Sequence, residues 1–166
     1  MTGIAADSPP IDGVLVKETG EGRFQVKIQT AGEAFLADEP VSVGGDGTGP
    51  NPYELLAAGL GACTAMTLRL YAERKGWPLK CVEVRVLHRR DKLVNRDRFA
   101  REIALAGDLD EAQRRRLLEI ANRCPVHLTL ERGADLVTTL VHLEHMQRRD
   151  SSSDRHMQLM AEACED

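Results

Sequence analysis

Residues 51–76, NPYELLAAGLGACTAMTLRLYAERKG, decide how this chain is read. Asn51 suits a helix N-cap, and Pro52 suits the first helical position, where a missing N–H costs nothing. Gly76, just before Trp77 and Pro78, fits the left-handed stop that follows a last turn. Between Leu55 and Leu68 the only ionisable side chain is Cys63, and Ala57, Ala58, Gly59, Gly61 and Ala62 are small enough for other backbones to approach. A helix that is apolar all round is expected to be buried on all sides. Cys63 is therefore expected mid-helix, deep in the protein or at a subunit interface.

Working outward, three short β-like runs precede this helix at residues 13–18, 23–30 and 33–38. The second alternates strictly, with Phe24, Val26 and Ile28 on one face. Their connections are too short for crossovers, so an antiparallel meander is expected. The glycine-rich run 44–50 fits neither GxxxxGK[ST] nor GxGxxG and reads as a flexible connector. After the helix, residues 79–89 and 97–105 read as a strand hairpin. Residues 108–123 read as a second helix capped by Asp108 or Asp110, with Leu117, Leu118, Ile120 and Ala121 as its stripe. Pro125 can start a further short helix, and residues 134–144, ADLVTTLVHLE, read as a last strand. One domain over residues 13–146 follows, with a loose lead at 1–12 and a polar tail or short helix at 147–166, in which Cys164 reads as an exposed spectator.

The chain has 166 residues, 42% hydrophobic and 29% charged, which excludes a wholly disordered or collagen-like class. Aromatics at 4% give no stacking platform for single-stranded nucleic acid, and a net charge of −4 suits a polyanion partner poorly. No nucleic-acid partner is expected. No unbroken apolar run approaches the ~20 residues of a membrane span, and the first residues lack the pattern of a secretory signal. A cytoplasmic setting without membrane attachment is the expectation. Of the four cysteines, Cys63, Cys81, Cys124 and Cys164, none forms a CxxC pair.

Two thiols stand out by position. Cys124 is expected at the N-cap of the short helix led by Pro125, where free N–H groups and the positive helix end lower a thiol pKa. Cys63 has no such help, and burial raises its pKa. To react it needs a cation from another element, and Arg23, at the start of the second strand after a glycine-rich turn, is the candidate. Glu54 stands two and a half turns before Cys63, not directly over it. Its candidate role is to hold the arginine. The plainer alternatives are that Cys63 and Cys81 are small buried fillers, or that Cys124 and His127 form a C-x-x-H pair of metal ligands. A zinc site would need two more ligands, of which Cys63 offers one. His88, His142 and His145 read as ordinary strand residues.

The string GPNPYELLAAGLGAC at residues 49–63, followed further on by Cys124-Pro125, resembles the OsmC/Ohr family of osmotically inducible and organic hydroperoxide resistance proteins. The order of elements over residues 13–145 agrees. The resemblance implies an α+β OsmC-like fold, with antiparallel sheets around a central Cys-bearing helix, in an intertwined homodimer whose sites draw on both chains. It implies a thiol-dependent peroxidase without cofactor or metal. Cys63 is then similar to the peroxidatic cysteine, Cys124 to the resolving one, and Arg23 to the thiolate-stabilising arginine. In the organic-hydroperoxide branch a glutamate directly follows Asn-Pro. Here that place is Tyr53 and the acid is Glu54, which fits the wider OsmC-like branch. The implied cycle passes through a Cys63 sulfenic acid and a Cys63–Cys124 disulfide, reopened by a thiol reductant, a dithiol or lipoyl-type protein. A non-catalytic module binding a small apolar or thiol ligand, or a redox sensor, is the alternative, and a metal-binding protein is the third reading.

Overall fold

The structure, a computed structural model, describes residues 13–91, 93, 95–143 and 155–165. The expected lead at 1–12, His145 and the polar stretch 147–154 lie outside these. The chain divides into two units, Met1–Pro52 with Asp135–Ser153, and Tyr53–Ala134 with Asp154–Asp166.

The first unit is the expected meander: β1 (Leu15–Glu18), β2 (Val26–Gln29) and β3 (Ala34–Ala37), antiparallel in that order. Its register sets Val16 opposite Ile28 and Ile28 opposite Phe35, so the alternating apolar set shares one face. The run at 44–50 is not a loose connector. Asp38, only 2% exposed, accepts hydrogen bonds from the backbone N–H groups of Glu39 (2.8 Å), Asp46 (3.1 Å) and Thr48 (3.3 Å) and from the Thr48 hydroxyl (2.9 Å). A Cβ at Gly49 would lie 2.1 Å from the Leu36 carbonyl oxygen, so only glycine lets the loop lie this close to β3. Burial works to raise the Asp38 pKa, and the bonds from Thr48, Glu39 and Asp46 outweigh it and lower it. A lowered folded-state pKa means that this contribution is complete above the ordinary carboxylate pKa and is lost as pH falls through the folded value. Asp38→Asn is therefore expected to speed amide hydrogen exchange at Asp46 and Thr48 at neutral pH, whereas in the parent the same quickening needs acid. Unchanged protection in the variant would refute this role.

The second unit carries α1 (Pro52–Arg74), the hairpin β4 (Leu79–Asp91) and β5 (Arg96–Gly107), α2 (Glu111–Ala121), α3 (Pro125–Arg132) and α4 (Arg155–Ala163). Gly76 ends α1 as expected, with φ +64° and the Trp77 N–H returning to the Ala72 carbonyl at 2.9 Å. Asp110, rather than Asp108, caps α2 in a reciprocal capping box with Gln113. The hairpin pairs Leu79 with Gly107 and Val86 with Arg101 in one long antiparallel ladder. Its inward phase, Val82, Val84, Val86 and Phe99, Ile103, Leu105, is half-buried, and the opposite phase is exposed. The core gathers Leu68, Tyr71 and Ala72 of α1, Leu79 of β4, Leu117, Ile120 and Ala121 of α2, and Cys164 just after α4.

Four expectations are corrected. First, α1 is not buried all round: Leu60, Cys63, Thr64, Thr67, Leu68 and Tyr71 are buried, but Leu56 and Met66 are 46% and 53% exposed. One chain covers one side of a helix, and small side chains on the other side leave it open. By length and composition α1 could cross a membrane, with a mean hydropathy of 1.4 over an 18-residue window. Counting unbroken apolar runs missed this, because one arginine interrupts the run. Second, the described part of the expected last strand, residues 134–143, forms no ladder, and Leu136, Leu140 and Leu143 are 91%, 98% and 88% exposed. An alternating sequence makes a strand only where an edge can take its N–H and C=O groups. Third, Cys164 is buried, its thiol donating to the Thr67 carbonyl at 3.6 Å. Fourth, Cys81 is exposed on the outer face of β4, not a buried filler.

Candidate functional site

Cys63 and Cys124 meet within the second unit. Cys63 lies mid-way along the buried side of α1, and Cys124 is the N-cap residue of α3, with Pro125 at its first turn. The two are 2% and 0% exposed and share one apolar cluster with Leu60, walled by Val86, Phe99 and Val126. Chain direction accounts for the approach. Asn122 ends α2, and the extended backbone of Cys124 (φ −62°, ψ 140°) turns the first N–H groups of α3 toward α1. The Val126 N–H donates to Cys63 Sγ at 3.4 Å. Both thiols are free.

Around Cys124 the donors accumulate. The Thr64 hydroxyl, which donates to the Leu60 carbonyl at 2.7 Å, lies 3.6 Å from Cys124 Sγ, and Arg101 Nη1 lies 4.0 Å from it. The same Nη1 bonds Thr64 Oγ1 (2.9 Å) and the Ala121 carbonyl (2.8 Å). Nη2 reaches Asn122 Oδ1 (2.8 Å) and His127 Nδ1 (3.1 Å). A guanidinium only donates, so His127 Nδ1 accepts and its ring proton sits on Nε2, facing Glu131 at 3.9 Å. These bonds hold the arginine as a fixed cation rather than a waving one.

The surroundings of Cys124 favour its charged form. Its pKa is lowered to about 5, first because the Cys63 thiol donates to it, then, against burial, by Thr64, the His127 N–H and Arg101. Cys63 is pushed up, because giving up its proton would break that bond and place a second charge beside the first in a buried site. Of the two, Cys124 is the thiol whose surroundings favour ionisation, and Cys63 the one whose surroundings oppose it.

A third group touches Cys63. His156 Nε2, from the first turn of α4, lies 3.3 Å from its Sγ. The expected tail thus delivers a side chain to the central thiol. A cleft of about 680 Å³ adjoins the cluster, with Leu60, Phe99 and Leu130 as apolar wall and Arg101, His127 and Asn122 as polar rim.

Of the four residues expected to form the site, the structure brings together Cys63 and Cys124. Arg23 belongs to the first unit, where it is exposed and its guanidinium lies 4.8 Å from the Phe24 ring centroid. Glu54 is exposed in the first turn of α1, beside a shallow depression lined by Ala57, Ala58, Gly61 and Val86. Tyr53 stacks on His88, centroids 4.2 Å apart and planes within 7°, and His88 in turn holds Asp97 at 2.9 Å. Arg101 and His156 were not anticipated. Arg101 left a signal, a lone cation on the inward phase of β5 between Phe99 and Ile103. His156 left a weaker one, sharing a four-residue spacing with Met160 and Cys164, the face that is buried. Among the described residues no group of three or more His, Cys, Asp or Glu gathers as a metal site.

The fold is that of a known class. Residues 45–139 match the OsmC-like protein family, and the chain belongs to it. No curated protein matches it. Solved structures share its fold, three of them as follows. One, from Psychrobacter arcticus, is described as an osmotic stress induced and detoxification response protein (18% identity, TM-score 0.62, covering 74% of this chain and 90% of that one). The second is an OsmC-like protein from Mycoplasma pneumoniae (17%, 0.63, 75% and 89%). The third is an organic hydroperoxide resistance protein from Legionella pneumophila (21%, 0.55, 74% and 91%).

Proposed function

We propose that this chain is a thiol-dependent peroxidase that reduces organic hydroperoxides to alcohols. The observation that carries the reading is the packing of two free, buried cysteines, Cys63 and Cys124, into one apolar cluster, with Arg101 beside Cys124. Cys63 attacks the distal oxygen of the hydroperoxide, the O–O bond breaks, and the alkoxide leaves as an alcohol, giving a Cys63 sulfenic acid. Cys124, as the thiolate, then attacks the Cys63 sulfur and displaces hydroxide, which takes a proton from solvent and leaves as water, closing a Cys63–Cys124 disulfide. A resolving cysteine whose surroundings lower its pKa suits that second step. Leu60, Val86, Phe99 and Val126 around the sulfurs favour an apolar peroxide over H2O2, which gains nothing from apolar burial. A fold shared with a Legionella protein described by organic hydroperoxide resistance agrees with this reading.

The same reading includes a homodimer, a dithiol or lipoyl-type reductant and a reducing, cytoplasmic setting. Two apolar surfaces support the dimer: the open side of α1 with Leu56 and Met66, and the exposed leucines at 136, 140 and 143. Arg23 and Glu54 enter as residues that such a dimer would bring to a thiol pair.

The test is a thiol count. The reduced protein, freed of reductant, is titrated before and after one equivalent of cumene hydroperoxide, with Cys63→Ser and Cys124→Ser alongside. The expected result is rapid loss of two thiols per chain in the parent and none in Cys63→Ser, a trappable sulfenic acid in Cys124→Ser, and slower loss with H2O2. No rapid loss in the parent would leave Cys63 an inert thiol and favour a binding module. A sulfenic acid on Cys124 in Cys63→Ser would reverse the two roles.

A further inference from the structure

The peroxidase reading leaves one step without a group to perform it. A cysteine thiol must give up its proton before it attacks a peroxide, since only the thiolate is the nucleophile, and the alkoxide that leaves needs a proton. The groups around its sulfur narrow the choice. The Val126 N–H only donates. The Thr67 hydroxyl is spent on the Cys63 carbonyl at 2.8 Å. The Cys124 sulfur could take the proton, but doing so would discharge the nucleophile that the next step needs. His156 remains.

We propose that His156 is a catalytic residue, taking the proton of the Cys63 thiol on Nε2 and returning it to the oxygen of the leaving alkoxide. The geometry places Nε2 3.3 Å from Cys63 Sγ, within the reach of a sulfur hydrogen bond. The ring is half-buried, so it touches the enclosed sulfur while staying in contact with solvent.

The helix that carries His156 is anchored rather than loosely draped. Met160 and Cys164, one and two turns further on, are 3% and 5% exposed. Arg74 of α1 donates to the Ala161 carbonyl at 2.8 Å, and Arg123 donates to the Glu165 carbonyl at 2.8 Å. Both arginines approach the carboxyl end of α4, where a cation also meets the negative end of the helix. Fixing that end, with Met160 inserted, sets the reach of His156 at the other.

The step balances. The thiol proton passes to Nε2, leaving a Cys63 thiolate and an imidazolium. The thiolate pair forms the S–O bond as the O–O bond breaks, so sulfur is oxidised and the distal oxygen becomes the sulfenic hydroxyl. The alkoxide takes the Nε2 proton and leaves as alcohol, and the imidazole returns to neutral.

This inference rests on the peroxidase reading, and the experiment separates the two. The full chain is used with Cys124→Ser, which stops the reaction at the sulfenic acid and removes the other candidate base. The rate of trapping with dimedone after cumene hydroperoxide is compared for His156, His156→Ala and His156→Gln. Loss of about 100-fold in both variants is expected, as for removal of a general acid–base group. Imidazole added to the buffer is expected to restore part of the rate in His156→Ala, an effect that a purely structural role would not give. Rates within about twofold of the parent, or a slow His156→Ala that imidazole does not help, would overturn the role. A parent that forms no sulfenic acid would overturn the peroxidase reading itself and this inference with it.

Discussion

Cys63→Ala is expected to raise the pH at which Cys124 ionises by about one to two pH units, the worth of one hydrogen bond to a charged group. The sign follows from the arrangement of donors. The Cys63 thiol is the largest single cause of the lowered Cys124 pKa of about 5, ahead of Thr64, the His127 N–H and Arg101. Removing it leaves burial, which favours the neutral thiol, opposed by fewer donors. Thiolate absorbance in the ultraviolet reads ionisation without any reagent having to enter a site where Cys124 is wholly buried. The reciprocal variant moves the other way. In Cys124→Ala the partner that holds the Cys63 proton is gone, and so is the like charge beside it, so Cys63 ionises more easily. A Cys124 midpoint that does not move in Cys63→Ala would mean the two sulfurs are not bonded in solution, and the division of labour between them would fall.

Leu117→Ala is expected to destabilise the second unit by about 3–5 kcal/mol, in the upper range for a large-to-small change in a closed core. Leu117 is 0% exposed and packs in the cluster that joins α1, β4, α2 and the end of α4. None of these elements can slide into the space without breaking another contact, since Arg114 of α2 is tied to the carbonyls of Leu105, Gly107 and Leu109. The chain has one tryptophan, and Trp77 stands edge-on to Tyr71 in this same core, centroids 5.5 Å apart. Its fluorescence therefore reports the second unit alone. The urea midpoint should fall on the order of 1–2 M. A fall equivalent to less than about 1 kcal/mol would show that α2 is not seated as described.

What the sequence disclosed, and what it withheld, follows from how local each signal is. The ends of α1, a cap for α2 at one of two aspartates, the meander and the hairpin are written in neighbouring residues, and they appear where the pattern puts them. The pairing of Cys63 with Cys124 was legible only through family resemblance, because nothing in the spacing of two distant thiols says that they touch. Arg101 was legible in principle, as a cation on an apolar phase, but the alternation of β5 was read for its hydrophobic members alone. His156 was hidden for a different reason. A histidine in a polar, serine-rich stretch looks solvated until the helix behind it is seen to dock by Met160 and Cys164. The last strand failed in the opposite direction. Its residues carry the right alternation, but a ladder also needs an edge, and no single sequence window contains one.

The two sulfurs stand on elements far apart along the chain, one inside α1 and the other at the head of α3. A bond between them would close a loop of about 60 residues, and in the chain-entropy description such a closure restrains the unfolded ensemble by about 4 kcal/mol. By linkage the folded protein would hold such a bond more tightly than the unfolded chain does, by the same amount, a potential on the order of 90 mV more negative. A single small thiol meets this gap poorly. A reductant that closes its own ring as it leaves, two sulfurs answering two, meets it well. On the peroxidase reading proposed above, the long arc of chain between Cys63 and Cys124 would favour a reductant that brings two thiols.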